Sequence, residues 1–92
     1  MKRQLEISPG FQRAAKRLAK RDPRAASHLQ TVLAALAEDA FDPALLGHKF
    51  KGALTGKFSC SAGFDLRILF SIVGDRGDAI LLIDVGTHDD VY

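Results

Sequence analysis

Phe64-Asp-Leu-Arg-Ile-Leu-Phe-Ser-Ile-Val73, preceded by Gly63 and followed by Gly74, is the strongest strand signal in the chain. Apolar and aromatic residues held between two glycines read as a strand. Side chains alternate across a strand, so Phe64, Leu66, Ile68, Phe70 and Ile72 share one face. The opposite face carries Asp65, Arg67, Leu69, Ser71 and Val73, charged in its first half and mostly apolar in its second. An acid and a base on a central strand imply that this end opens onto a cleft. Asp65 and Arg67 stand roughly 7 Å apart along that face, close enough to share a bound phosphate or to pair with each other. The rest of the chain supplies scaffold and walls for this strand end.

Ninety-two residues make one domain, spanning 1–92, with one sheet-and-helix core. An apolar fraction of 47% and a charged fraction of 26% place it with ordinary soluble globular proteins. No apolar run reaches the roughly 20 residues of a membrane span. Glu6 and Pro9 interrupt any apolar segment at the start, so no signal peptide is expected. One cysteine, Cys60, excludes an internal disulfide and fits a reducing cytoplasm. Charge is uneven. Residues 1–24 carry eight basic residues against two acidic ones, net +6, and the remainder carries five against nine, net −4. A basic half suits either a polyanionic or acidic partner or a merely solvated helix face.

Outward from the opening stretch, Arg3–Ile7 reads as a first strand with Leu5 and Ile7 turned inward. Ser8-Pro9 then opens a helix, serine being a favoured N-cap and proline a favoured first helical residue. Phe11, Ala14, Ala15, Leu18 and Ala19 form its apolar stripe. Asp22-Pro23 repeats the signal, and Leu29, Val32, Leu33, Leu36 and Ala37 carry a second helix to about Asp39. With almost no linker, the two fold back as an αα-hairpin. His28, near the edge of that stripe, reads as a solvated or hairpin-packing histidine rather than a functional one. Phe41–Gly56 is a loop by its glycines and Asp42-Pro43. Lys57–Ala62 is a modest strand, Asp75–Asp78 a tight turn, and Ala79–Val85 a buried strand. The order β-αα-β-β-β describes an α+β domain: an antiparallel sheet with a helical hairpin packed on one face. Its expected core includes Leu18, Leu29, Leu33, Leu36, Leu66, Ile68, Phe70, Leu81 and Ile83.

A meander sets the Phe64 end of its strand beside Ala62 of the preceding strand and beside Val85–Thr87 of the following one. Asp65, Arg67, Ser61 and His88 then converge, with His48 and Lys49 or Lys51 arriving on the glycine-rich loop. Each residue alone is ordinary; the convergence is what informs. No cysteine pair or tight ligand spacing points to a metal, no Gly-x-x-x-x-Gly-Lys phosphate loop exists, and Ser61 and Cys60 have no adjacent base. No cofactor is expected. The set suits RNA cleavage without a metal. One group takes the ribose 2′-hydroxyl proton, another protonates the leaving 5′-oxygen, and a cation stabilises the transition state. Histidine suits either proton role.

His48-Lys-Phe-Lys-Gly52, Phe64-Asp-Leu-Arg-Ile-Leu-Phe70 and Gly86-Thr-His-Asp-Asp-Val-Tyr92 together resemble the RelE/ParE toxin superfamily, closest to its YafQ-like mRNA interferase branch. The resemblance spans the whole chain, although the helices match only in pattern. It implies a toxin of a type II toxin–antitoxin system, a cytoplasmic endoribonuclease that cuts mRNA in the ribosomal A site. His48, Asp65 and His88 match the family's catalytic residues, Arg67 the arginine that steadies the phosphate, and Tyr92 the terminal aromatic that stacks on a base. Lys49, Lys51 and Ser61 are expected to bind substrate. Ser61 departs from the pattern: YafQ-like enzymes place a histidine there, and serine exchanges no proton near neutral pH. The resemblance also implies an antitoxin partner, for which the basic first helix is a natural surface, as it is for ribosomal RNA. A ParE-like toxin that binds DNA gyrase, or a catalytically weakened antitoxin-binding relative, are the alternatives.

Overall fold

The computed structural model describes residues 2–45, 47–49, 56–63 and 65–87, with His48 and Lys49 described through their backbone. Helix α1 (Pro9–Arg21) starts where the sequence places it, Ser8 accepting from the Phe11 N–H through its side chain. Helix α2 (Pro23–Glu38) follows after Asp22, which ends α1 by bonding the Leu18 carbonyl and starts α2 by accepting from the Ala25 N–H. One residue thus closes one helix and opens the next, and the hairpin needs no loop.

The strands are β1 (Gln4–Ile7), β2 (His48–Lys49), β3 (Lys57–Ser61), β4 (Leu66–Val73) and β5 (Ala79–Thr87). They form one sheet in the order β1-β5-β4-β3-β2. The β3-β4-β5 meander is antiparallel, as expected, while β1 joins its far edge parallel to β5. The sheet is therefore mixed. A parallel neighbour needs a long crossover, and here everything from the helical hairpin to β4 intervenes between β1 and β5. Part of the expected loop is ordered as well, a 3₁₀ turn at Pro43–Leu45 followed by the two-residue β2. β4 begins at Leu66 rather than Phe64; Asp65 lies in the preceding turn, and Phe64 falls outside the described residues.

Phe11, Ala14 and Leu18 of α1 and Leu29, Val32 and Leu36 of α2 are buried against Leu66, Ile68 and Phe70 of β4, with Leu33 half-buried beside them. Phe58 stacks on Phe70 at 5.6 Å between ring centroids, and Phe41 packs edge-on against Phe58 at 5.4 Å. Two inward expectations are corrected. Ile7 is 60% exposed, because it ends an edge strand with only β5 beside it. Leu81 and Ile83 are half-buried, whereas Ile80, Leu82 and Val85 fill the core.

The second correction has a local cause. Phe70 pairs with Leu82 and Leu69 with Asp84, leaving Ile83 as the extra residue of a β-bulge. A bulge resets the alternation of a strand, so Ile80 and Leu82 point inward before it and Val85 after it. The bulge is held by the helix cap: the Ser8 hydroxyl donates to the Ile83 carbonyl at 3.1 Å, and the Ser8 N–H to the Leu82 carbonyl at 3.1 Å.

Candidate active site

The β3–β4 turn builds the candidate site. Ser61 ends β3, and its hydroxyl accepts from the Gly63 N–H at 3.3 Å. Ala62 donates to the Leu66 carbonyl and Leu66 to the Gly63 carbonyl, each at 2.9 Å. Gly63 has φ +90°, a conformation only glycine adopts freely. Asp65 stands exposed in this turn, directly ahead of β4.

Across the sheet, Ser61 is the register partner of Arg67, and Arg67 of Gly86. Neighbouring strands lie about 4.8 Å apart, so these three residues form a row roughly 10 Å wide. Thr87 lies opposite Leu66, one step nearer the strand end. The expected approach of Ser61, Arg67 and the end of β5 is therefore present, whereas Asp65, expected on the same strand face as Arg67, lies in the turn ahead of β4 and outside this register. Arg67 is half-buried, on the face turned away from Ile68 and Phe70 and hence from the helices. Beside it, burial pushes the Cys60 thiol up to about 12, the positive charge of Arg67 pulling weakly the other way. At 0% exposure this thiol is a packed core atom and no nucleophile.

β2 brings His48 opposite Ser59 and Lys49 opposite Phe58, so the backbone of His48 runs one strand out from Ser59, two residues from Ser61. Lys51, His88 and Tyr92 lie outside the described residues. β5, however, runs through Thr87, the residue before His88. Among the described residues, no three His, Cys, Asp or Glu side chains gather to hold a metal ion, and no helix is long and apolar enough to cross a membrane.

One residue at this turn escapes a sequence reading. A Cβ at Gly63 would stand 2.5 Å from Cδ2 and 2.7 Å from Nε2 of His28, so the imidazole from α2 lies directly on the glycine backbone. Thirty-five positions separate the two, and no periodicity in α2 points toward the turn. The glycine alone was a signal: a residue without a side chain next to a turn allows close approach.

No family model matches the chain, and no curated protein sequence matches it. Solved structures do. The chain superposes on the YoeB/ParE toxin from Agrobacterium tumefaciens with a TM-score of 0.80 at 15% identity, over 92% of this chain and 98% of that one. It is similar to a chain of the toxin–antitoxin complex RelBE2 from Mycobacterium tuberculosis (TM-score 0.76, 17% identity, 96% and 100% covered). It is also similar to a chain of the E. coli DinJ–YafQ toxin–antitoxin complex (TM-score 0.69, 19% identity, 100% and 99% covered). The fold is thus that of the RelE/YoeB/YafQ/ParE-type toxins, an α+β domain with a helical hairpin on a mixed sheet. The YafQ-like resemblance carried by the sequence has its structural counterpart among these neighbours.

Proposed function

We propose that the chain is the toxin of a type II toxin–antitoxin system and acts as an endoribonuclease on ribosome-bound mRNA. The observation that carries this is the row Ser61–Arg67–Gly86 with Asp65 exposed at its head. It sets a cation on β4 and a carboxylate in the turn just ahead of it, at the end of the sheet where the neighbouring β5 leads toward His88. Arg67 neutralises the charge that builds on the phosphate as the ribose 2′-oxygen bonds to phosphorus and the bond to the 5′-oxygen breaks. In the low-dielectric flank of a sheet, such a cation is worth several kcal/mol in the transition state, of order 3. His88 and His48 are the acid and base: one takes the 2′-hydroxyl proton and the other returns a proton to the 5′-oxygen. Asp65 orients or assists one of them, and Tyr92 stacks on a base. Ser61, Lys49 and Lys51 hold the strand by hydrogen bond and charge. The proton steps use these side chains alone and need no cofactor. The partner is a cognate antitoxin, in line with neighbours solved in toxin–antitoxin complexes, and the setting is the cytoplasm.

Primer extension on an mRNA in a translating extract, with and without the protein, tests the reading. The expected result is new 5′ ends that appear only with the protein and only while the message is being translated. Growth arrest with intact mRNA and inhibited gyrase would transfer the chain to the gyrase-binding alternative.

A further inference from the structure

β1 covers the outer edge of β5 only from Ala79 to Leu82. Beyond the Ile83 bulge, β5 runs on to Thr87, and among the described residues α1 rather than a strand lies beside that edge. Between them lies a cleft of about 240 Å³ walled by Arg17 and Arg21 of α1 and by Asp84, Val85 and Gly86 of β5. We propose that this cleft is a binding subsite for one ribonucleotide of an RNA strand, a reading that rests on the proposed action on RNA and extends the substrate beyond the cleavage point.

The chemistry of the walls selects the occupant. Arg17 and Arg21 are four residues apart, hence on one helix face with Cβ atoms about 6 Å apart. Two guanidinium forks at that spacing clasp a phosphate from both sides, each able to bind two oxygens. The C-terminal end of α1 carries only about half a negative charge, which two full positive charges overcome. Asp84 faces them across the cleft. Its carboxylate already accepts from the Val85 N–H at 2.8 Å, and an ionised carboxylate has acceptor capacity left for a hydroxyl. A phosphate beside a 2′-hydroxyl is the pairing that two cations and one acceptor fit, and the hydroxyl distinguishes RNA from DNA.

An acidic peptide fits less well. Its carboxylates would meet Asp84, and a strand added to this edge would find the Val85 N–H taken. Continuity with the candidate active site favours RNA too. Gly86 ends the cleft and is the register partner of Arg67, so a chain leaving the arginine crosses one strand to reach the subsite.

The test uses a fluorescein-labelled RNA octamer and the DNA octamer of matching sequence, read by anisotropy over a salt series and recovered intact on a gel. The proteins are wild type, Arg17→Ala/Arg21→Ala and Asp84→Asn; all three positions touch solvent. The expected results are at least tenfold weaker RNA binding in the double variant and a log–log salt slope shallower by about 0.7, as one phosphate fewer is neutralised. Asp84→Asn should narrow the preference for RNA over DNA. Amide spectra of wild type should show the Val85 and Gly86 signals moving on RNA addition. Unchanged RNA affinity in the double variant would overturn the proposal, as would stationary Val85 and Gly86 signals. A hexaglutamate peptide that moves those signals more than RNA does would also overturn it and define an acidic-peptide groove. If wild type cuts translated mRNA but RNA affinity ignores Arg17 and Arg21, the subsite alone falls. If the double variant loses RNA binding and no mRNA is cut by any form, the nuclease reading falls and the subsite stands.

Discussion

In the proposed reaction Arg67 carries the transition-state charge, and its position in the row Ser61–Arg67–Gly86 sets what its loss should do. Arg67→Ala should lower single-turnover cleavage of ribosome-bound mRNA about a hundredfold, the kinetic equivalent of ~3 kcal/mol of transition-state stabilisation. His88→Ala should remove most cleavage while antitoxin binding persists. Ser61→His should raise the rate if the missing imidazole is the weak point; a rate no higher than wild type would show that the row works as it stands. Cys60 makes a prediction of a different kind. Its folded-state pKa is raised, from 9.0 to about 12, by burial. Its contribution to stability is therefore complete below pH 9 and lost as pH rises toward 12, because the unfolded chain releases the thiol proton first. Urea midpoints measured from pH 8 to 11 should fall more steeply in wild type than in Cys60→Ala. Native protein should also resist iodoacetamide at pH 8, where unfolded chain reacts.

At the scale of elements, Ser8 does three jobs at once. It caps α1, ties the bulge of β5 through the Ile83 carbonyl and bonds the Leu82 carbonyl through its backbone. Ser8→Ala removes the two side-chain bonds and leaves the backbone one, so the expected loss is about 1–2 kcal/mol, read as a lower urea midpoint at unchanged slope. A change of slope would mean that the bulge itself had rearranged. The β3–β4 turn depends on α2 in a comparable way. Gly63→Ala combines a left-handed backbone at φ +90° with a collision against His28. It should cost at least 1 kcal/mol, and His28→Ala should recover the part due to the collision and leave the backbone part. A double-mutant cycle showing no coupling would separate the helix from the turn.

For the whole molecule, the concentration of basic residues in the first 24 positions sets long-range behaviour rather than fold. Neutralising Arg13, Lys16, Arg17 and Lys20 together should slow association with an acidic antitoxin segment and flatten its salt dependence, measured by stopped flow. Indifference to both salt and these four changes would move the antitoxin to another surface. The core behaves as one unit, since both helices bury their stripes on the same β4 face. Phe70→Ala, at a site 1% exposed, should cost about 3–5 kcal/mol, and Leu36→Ala about 2–5.

Local sequence was enough for the elements and their class. Ser8-Pro9 and Asp22-Pro23 mark helix starts because caps and prolines act within one turn. Two glycines bound β4 because turns are local, and alternation along β4 names its buried face correctly. The pairing of Ser61 with Arg67 was legible too, because a short meander leaves no other pairing. Tertiary structure decided what depends on contacts far apart in the chain. The parallel seating of β1 on β5 is a sheet-edge choice that no local pattern encodes. The bulge at Ile83 reverses which residues of β5 face inward, and its anchor, Ser8, lies 75 positions away. The imidazole of His28 on Gly63 and the cleft of Arg17, Arg21 and Asp84 likewise exist only once the helical hairpin has packed on the sheet. Short-range sterics and hydrogen bonds write secondary structure into neighbouring residues, whereas a site assembled from separate elements is set by how their buried faces fit.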